Sequence, residues 1–232
     1  YRRHADRAFK DRHYLDREWT ELSASNGAAG ADGGSVPLVL LEAGCAGGNA
    51  LFPLLESNPR LRAYAVDVSV TAVQMVRSHA LASEGRLVAA AAGDLTSGEL
   101  PLEIAGCEAD LATLIFVLSA IAPAKMVCAL RAVAKGLKRG GVCLLRDYAS
   151  GDGAQKRYME AAGAKRLYPE LPCFVRADGT LAYYFTEDEL CSLFDQAGFD
   201  KVSCVHTHGE TANRKTGLSM ERHFWTARFR RR

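Results

Sequence analysis

The sequence predicts an α/β domain organised around a mostly parallel β-sheet, and three features of its 232 residues predict it. From Pro37 onward, short apolar runs alternate with helix-spaced segments, the pattern of stacked βαβ units. The first run leads into a glycine-rich turn, Glu42-Ala43-Gly44-Cys45-Ala46-Gly47-Gly48-Asn49, with a helical pattern directly behind it. Asp67 and Asp94 then follow the next two runs, at the sheet edge where open α/β folds bind ligands.

In chain order, residues 1–22 are charged and aromatic, with Tyr1, Ala5, Ala8, Phe9 and His13 near one helical face, and read as an N-terminal helical arm. The chain begins at Tyr1 inside this pattern, without a methionine, so further sequence is expected upstream. Residues 23–36 are glycine, alanine and serine with little else, a flexible low-complexity loop. The main domain is 37–232, with strands expected at 38–42, 63–66, 87–91, 111–116 and 142–146. Ser69 caps a helix over 70–79, and Pro123 opens one to Leu137 that Gly140 and Gly141 end. Asp178-Gly179 between extended flanks predicts a β-hairpin insertion near 172–186. Thr186 with Glu189 makes a capping box for a helix through Ala197, and strands at 202–206 and 223–229 complete the chain.

Composition narrows the classes less than the pattern does. A net charge of +2 neither requires nor excludes a polyanionic partner, so position decides. Two basic clusters stand out: Arg2, Arg3, Arg7, Lys10 and Arg12 in the arm, and Arg214, Lys215, Arg222, Arg228 and Arg230 to Arg232 near the end, with almost no compensating acid. For Arg230 to Arg232 alone, a solvated tail is the preferred reading. The seven cysteines form no CxxC pair and no zinc-like spacing, which suggests a reducing, intracellular location. No metal is expected: His206, His208 and His223 have no cysteine or carboxylate at a suitable spacing and read as surface or strand histidines. The longest apolar run, ending at Pro123, is too short to span a bilayer, so no membrane partner is expected.

The glycine turn and strand-end acids serve NAD and S-adenosylmethionine alike. A dinucleotide fingerprint would want glycine at 46 and 49, where Ala46 and Asn49 stand, which favours the ligand without a phosphate. Taken singly, Gly44, Asp67 and Asp94 could be a tight turn and two caps; together at successive strand ends they favour a ligand site.

Five stretches carry a closer resemblance: Phe9-Lys10-Asp11-Arg12-His13, Leu41-Glu42-Ala43-Gly44-Cys45, Leu114 to Ala120, Arg146-Asp147-Tyr148, and Val175 to Thr180 with Tyr184-Phe185. Together they resemble the tRNA N3-methylcytidine methyltransferases of the methyltransferase-like family. The resemblance implies a Rossmann-like class I fold dependent on S-adenosylmethionine, with a seven-stranded, mostly parallel sheet and helices on both faces. It also implies methyl transfer to N3 of a cytidine in the tRNA anticodon loop, leaving S-adenosylhomocysteine. Tyr1, Gly44, Asp67, Asp94 and Ile115 would contact the cofactor. The family's Gly-Cys-Gly-Val-Gly is here Gly44-Cys45-Ala46-Gly47-Gly48, so Ala46 adds a methyl group where backbone meets cofactor, and Tyr14 replaces the usual tryptophan.

For this target, Asp147 is the candidate to face the positive charge that develops on the base, Tyr148 and Phe9 to sandwich it, and Arg12 to hold a phosphate or base edge. Arg146, Arg176, Arg214, Lys215 and Arg222 are the expected RNA contacts. The structural alternatives are an Arg146–Asp147 ion pair, Tyr148 as core and Phe9 as an apolar anchor. Residence is expected in the cytoplasm, with mitochondria left open, and the chain to act as a monomer; the family precedent admits an aminoacyl-tRNA synthetase or other helper protein. Competing functions are a methyltransferase acting on protein or a small molecule, an inactive cofactor-binding RNA-binding subunit and, more distantly, a nicotinamide oxidoreductase.

Overall fold

A computed structural model describes residues 11–25, 36–161, 166–212 and 219–232. Strands β1 (Leu38–Ala43), β2 (Leu61–Asp67), β3 (Leu87–Ala92), β4 (Ala109–Ile115) and β5 (Leu137–Tyr148) join β9 (Phe199–Ala212) and β10 (Ser219–Arg231) in one seven-stranded sheet. Its order is β3-β2-β1-β4-β5-β10-β9. The first five strands run parallel, while β10 pairs antiparallel with both β5 and β9. Chain order reverses between β1 and β4, which opens a crevice at the carboxyl ends of those strands.

Strand alternation divides the core in two. Leu41 and Ala43 on β1, with Cys143 and Leu145 on β5, face α4 (Met126–Gly136) and α6 (Glu187–Gln196). Leu40 and Leu144 face the other way, into the cluster that holds α1 (Leu15–Glu18), α2 (Leu51–Ser57) and α3 (Val70–Ser78). Helices therefore cover both faces, as the continuous apolar strands required.

The local signals act as their chemistry dictates. Ser69 accepts the Ala72 N–H to start α3, and Thr186 and Glu189 form a reciprocal capping box at the start of α6. Helix α4 ends earlier than expected: Gly136 lies so close to Leu41 and Leu100 that a Cβ would meet them at 2.6 and 2.8 Å, and β5 begins at Leu137. Gly140 and Gly141 lie within β5, and do not end the helix. The hairpin insertion is larger than the turn signal showed, because β6 (Arg166–Tyr168) adds to β7 (Cys173–Val175) and β8 (Leu181–Tyr183) in a separate three-stranded sheet. A short helix, α5 (Gly153–Glu160), had no expectation attached to it.

Of the arm, the described part begins at Asp11; Tyr1, Phe9 and the basic residues before Asp11 lie outside the described residues. Leu15, Trp19 and Leu22 are fully buried in the cluster beside α2. Arg228 on β10 clamps this segment by two hydrogen bonds to Glu21, at 2.7 and 3.2 Å. Among the described residues, no helix is long and apolar enough to cross a membrane.

Candidate active site

The glycine turn after β1 is shaped by two close approaches. Gly44 has φ +78°, and a Cβ there would lie 2.4 Å from a Val117 methyl group; Gly48 has φ +88°, with Phe52 at 2.2 Å. Only glycine fits either place. Between them the turn is tied to the end of β2: the Ala46 N–H donates to Asp67 Oδ2 and the Ser69 N–H to Asp67 Oδ1, both at 2.8 Å. Each oxygen keeps a further lone pair, so the fixed carboxylate can still accept from a ligand hydroxyl.

Ala46 has φ +47°, a left-handed conformation where a Cβ is strained. Ala46→Gly is expected to relieve about 1–2 kcal/mol of that strain, against about 0.4–1 kcal/mol for the looser unfolded chain. The net is a rise of a few degrees in melting temperature; a lower melting temperature in a thermal scan would contradict the strain.

Glu42, at the end of β1, is buried and accepts a hydrogen bond from the Thr113 hydroxyl. Burial pushes its carboxyl up to about 7, against the pull of that bond and of the Arg12 guanidinium. Asp94, after β3, accepts the Thr96 N–H at 2.8 Å and caps a 3-10 turn over Leu95–Ser97. Ile115 ends β4 and is 7% exposed. Gly44, Asp67, Asp94 and Ile115 thus follow or close successive strands on one edge, with the Arg12 N–H donating to the Asn49 carbonyl at 2.8 Å to lay the arm against the turn. A glycine-only cradle beside a fixed carboxylate, without a row of phosphate-binding glycines, fits S-adenosylmethionine.

Beside this cradle is an aromatic cluster that the sequence reading saw only in part. Phe116 has φ +59°, strained for so bulky a residue, and its N–H is held by the Arg146 carbonyl. Its ring lies 4.9 Å from Tyr148 and 5.5 Å from Phe224, and Tyr148 lies 5.6 Å from Tyr184. Guanidinium groups cover the faces: Arg12 is 4.8 Å from the Phe116 centroid, and Arg176 and Arg222 are 5.2 and 5.5 Å from Tyr148. Arg222 is held from behind by an ion pair with fully buried Asp152 at 2.8 Å. The left-handed phenylalanine is invisible in sequence, and Phe224 lies 76 residues from Tyr148 but directly opposite it across the β5–β10 ladder. Phe116 and Phe224 are therefore the site residues that sequence reasoning missed.

Three groups of charged residues have partners that linear sequence does not show. Arg146 and Asp147 make no ion pair, because adjacent strand residues face opposite sides of the sheet. Arg146 instead pairs with Glu18 at 3.3 Å and donates to the Thr226 hydroxyl, which ties it to the arm. Asp147 is fully buried, and its two oxygens accept the Ser119 and Tyr148 N–H groups at 3.0 and 2.9 Å. It therefore holds the loop after β4 against β5. The end of the chain is no unpaired basic tail: Arg228 pairs with Glu21, Arg231 donates to the Leu137 carbonyl, and Arg232 pairs with Asp195. Arg214 and Lys215 lie outside the described residues.

The strand order, glycine cradle and strand-end acids define a class I methyltransferase, and residues 3–204 match the family model described as a methyltransferase domain. Within that class, the chain belongs to the family of tRNA N(3)-cytidine methyltransferases. It is 40% identical to METTL6 of Rattus norvegicus over 231 residues, covering all of this chain and 77% of that protein. It is 37% identical to trm141 of Schizosaccharomyces pombe over 225 residues, covering 97% of this chain and 86% of that one. A solved SAM-dependent methyltransferase from Methanosarcina mazei shares the fold alone, with TM-score 0.59 and 19% identity over 84% of this chain and 92% of that one.

Proposed function

We propose that the chain transfers a methyl group from S-adenosylmethionine to N3 of a cytidine in a tRNA anticodon loop. The observation that carries this reading is the arginine-faced floor of Phe116, Tyr148 and Phe224 beside the glycine cradle. A flat apolar floor stacks an unpaired base, and guanidinium planes around it accept phosphate or stack in turn. When bound, the cofactor supplies an electrophilic sulfonium methyl group. Gly44, Asp67, Asp94 and Ile115, with Tyr1 from the arm, would hold it.

N3 of neutral cytosine carries an in-plane lone pair and no proton, so the reaction needs orientation more than a base. Burial raises the Tyr148 phenol above its usual range and keeps it neutral, which suits a stacking surface. The methylated ring is a cation, and the aromatic faces that draw guanidinium groups here would meet it. Arg12, Arg176 and Arg222 then serve the RNA backbone, joined by Arg214 and Lys215 between β9 and β10, and Phe9 from the arm would close over the base opposite Tyr148. In this scheme Asp147 is a positioning residue. The reading assigns the arm at 1–22 to the cofactor and RNA site, joined by the linker at 23–36 to the catalytic domain at 37–232. It also puts the protein in the cytoplasm as a monomer, with an aminoacyl-tRNA synthetase as the helper to test.

The test is incubation of the purified protein with tRNA transcripts and S-adenosylmethionine, followed by nucleoside mass spectrometry. N3-methylcytidine is expected; methyl transfer to protein extract and not to tRNA would overturn the reading. Asp67→Ala is expected to weaken cofactor binding by about 1.5–3 kcal/mol, the worth of a hydrogen bond to a charged group. Unchanged affinity in calorimetric titration would remove Asp67 from the cofactor site.

A further inference from the structure

The ribbon formed by β9 and β10 outruns β5, whose ladder with β10 extends to Phe224. Along that ribbon His223 pairs directly with His208, and Trp225 with His206. Period-two alternation therefore puts His206, His208, Glu221, His223 and Trp225 on one face, and Arg222 and Phe224 on the other. The three imidazole rings lie 4.4, 4.5 and 5.1 Å apart, and one ring nitrogen from each lies within 4.8 Å of the other two. In sequence the cluster is an H-x-H pair and a third histidine 15 residues on, which is why linear spacing gave no metal signal.

We propose that His206, His208 and His223 bind a divalent transition-metal ion of the zinc class, with the Glu221 carboxylate as the fourth ligand. Nδ1 of His223 is buried with no hydrogen-bond partner among the described residues, while Nε2 has the Glu221 carboxylate beside it. A buried polar group left unpaired is costly, and an ion is one partner that resolves it. Glu221 Oε1 stands 3.1 Å from His223 Nε2 and 3.8 Å from His208 Nδ1, so it faces the same point as the imidazoles. Zinc at about 2.0–2.1 Å from each nitrogen would draw them to roughly 3.3 Å apart, a tetrahedral edge. Exposed His206 and His208 can make that adjustment by side-chain rotation. Three imidazoles and one carboxylate, without a thiolate, suit zinc, nickel or copper better than calcium or magnesium. The site needs no share in methyl transfer: it would pin two strands that carry Arg222 on their other face.

Tag-free protein stripped with a chelator should take up one zinc ion per chain in competition with a chromophoric chelator, and its melting temperature should rise with zinc. His206→Ala and His208→Ala should each lower zinc affinity at least tenfold, and Glu221→Gln less. Since His206 and His208 are exposed, both variants should melt like the wild type without metal. Cobalt substitution should give the absorption of a nitrogen and oxygen site. Absence of saturable binding, wild-type affinity in both histidine variants, or a thiolate-to-metal band that places the ion on cysteine would each overturn the proposal.

Discussion

Asp147→Asn is expected to unfold more readily than the wild type, and to lose turnover because a loop moves and not because a reacting group is gone. The carboxylate gives one oxygen to the Ser119 N–H and the other to the Tyr148 N–H. An amide offers one acceptor and turns a donor toward the remaining N–H, leaving buried donors unsatisfied at a cost of about 1–3 kcal/mol. For a domain of this size that is a fall of about 2–12 °C in melting temperature. Burial raises the Asp147 carboxyl to about 6, with hydrogen bonds from Ser119 and Tyr148 and the charge of Arg176 opposing. A carboxyl raised on folding favours the folded state most below its unfolded pKa, and that contribution is lost as pH rises through about 6. The stability difference between wild type and variant should therefore change between about pH 4 and 6 and be flat above 7. Melting curves across that range, beside single-turnover methylation of an anticodon stem-loop, check both parts. A variant that melts like the wild type but loses a hundredfold or more in rate would restore Asp147 to direct contact with the developing charge.

The middle of the sheet was legible because β1 and β4 are buried on both faces and so read as continuous apolar runs, and the punctuation around them is chemically explicit. Ser69, and Thr186 with Glu189, cap α3 and α6 as their side chains predict. Helix α5 was not legible: it is weakly apolar and begins at Gly153, and its start is set by Asp152, which caps Ala154 while also holding Arg222 and His223. Strand β5 was read short because Lys138, Arg139, Gly140 and Gly141 look like a helix terminus; they bulge out of register between the Leu137–Ala109 and Val142–Leu111 pairs.

The candidate site divides in the same way. Gly44, Asp67 and Asp94 could be found because each follows a strand, and strand ends are visible in sequence. The aromatic floor and the histidine cluster could not, because both are assembled by pairing between strands far apart in the chain: Tyr148 with Phe224, and His208 with His223. Charge misled for a related reason. Arg228 and Arg232 have no acid near them in sequence, yet Glu21 and Asp195 meet them in space.

Tyr148→Ala should lose turnover by about fivefold to 150-fold, the equivalent of the roughly 1–3 kcal/mol by which an aromatic side chain stacks a base. Tyr148 is the hub of the floor: its ring meets Phe116, Tyr184 and Phe224, and both Arg176 and Arg222 lie over it. Truncation removes the surface on which the base would rest and the ring beneath the two guanidinium groups, so orientation is lost while overall charge is kept. Cofactor affinity should be unchanged, because Asp67 and the glycine turn belong to β1 and β2 and Tyr148 ends β5. Tyr148→Phe keeps the ring and should keep most of the rate. If the phenol were a proton acceptor, the phenylalanine variant would instead fall as far as the alanine one. Rates for both variants on an anticodon stem-loop, with S-adenosylhomocysteine affinity measured on the same preparations, separate stacking from proton transfer. Wild-type turnover by a normally folded Tyr148→Ala protein would show that the cytidine rests elsewhere.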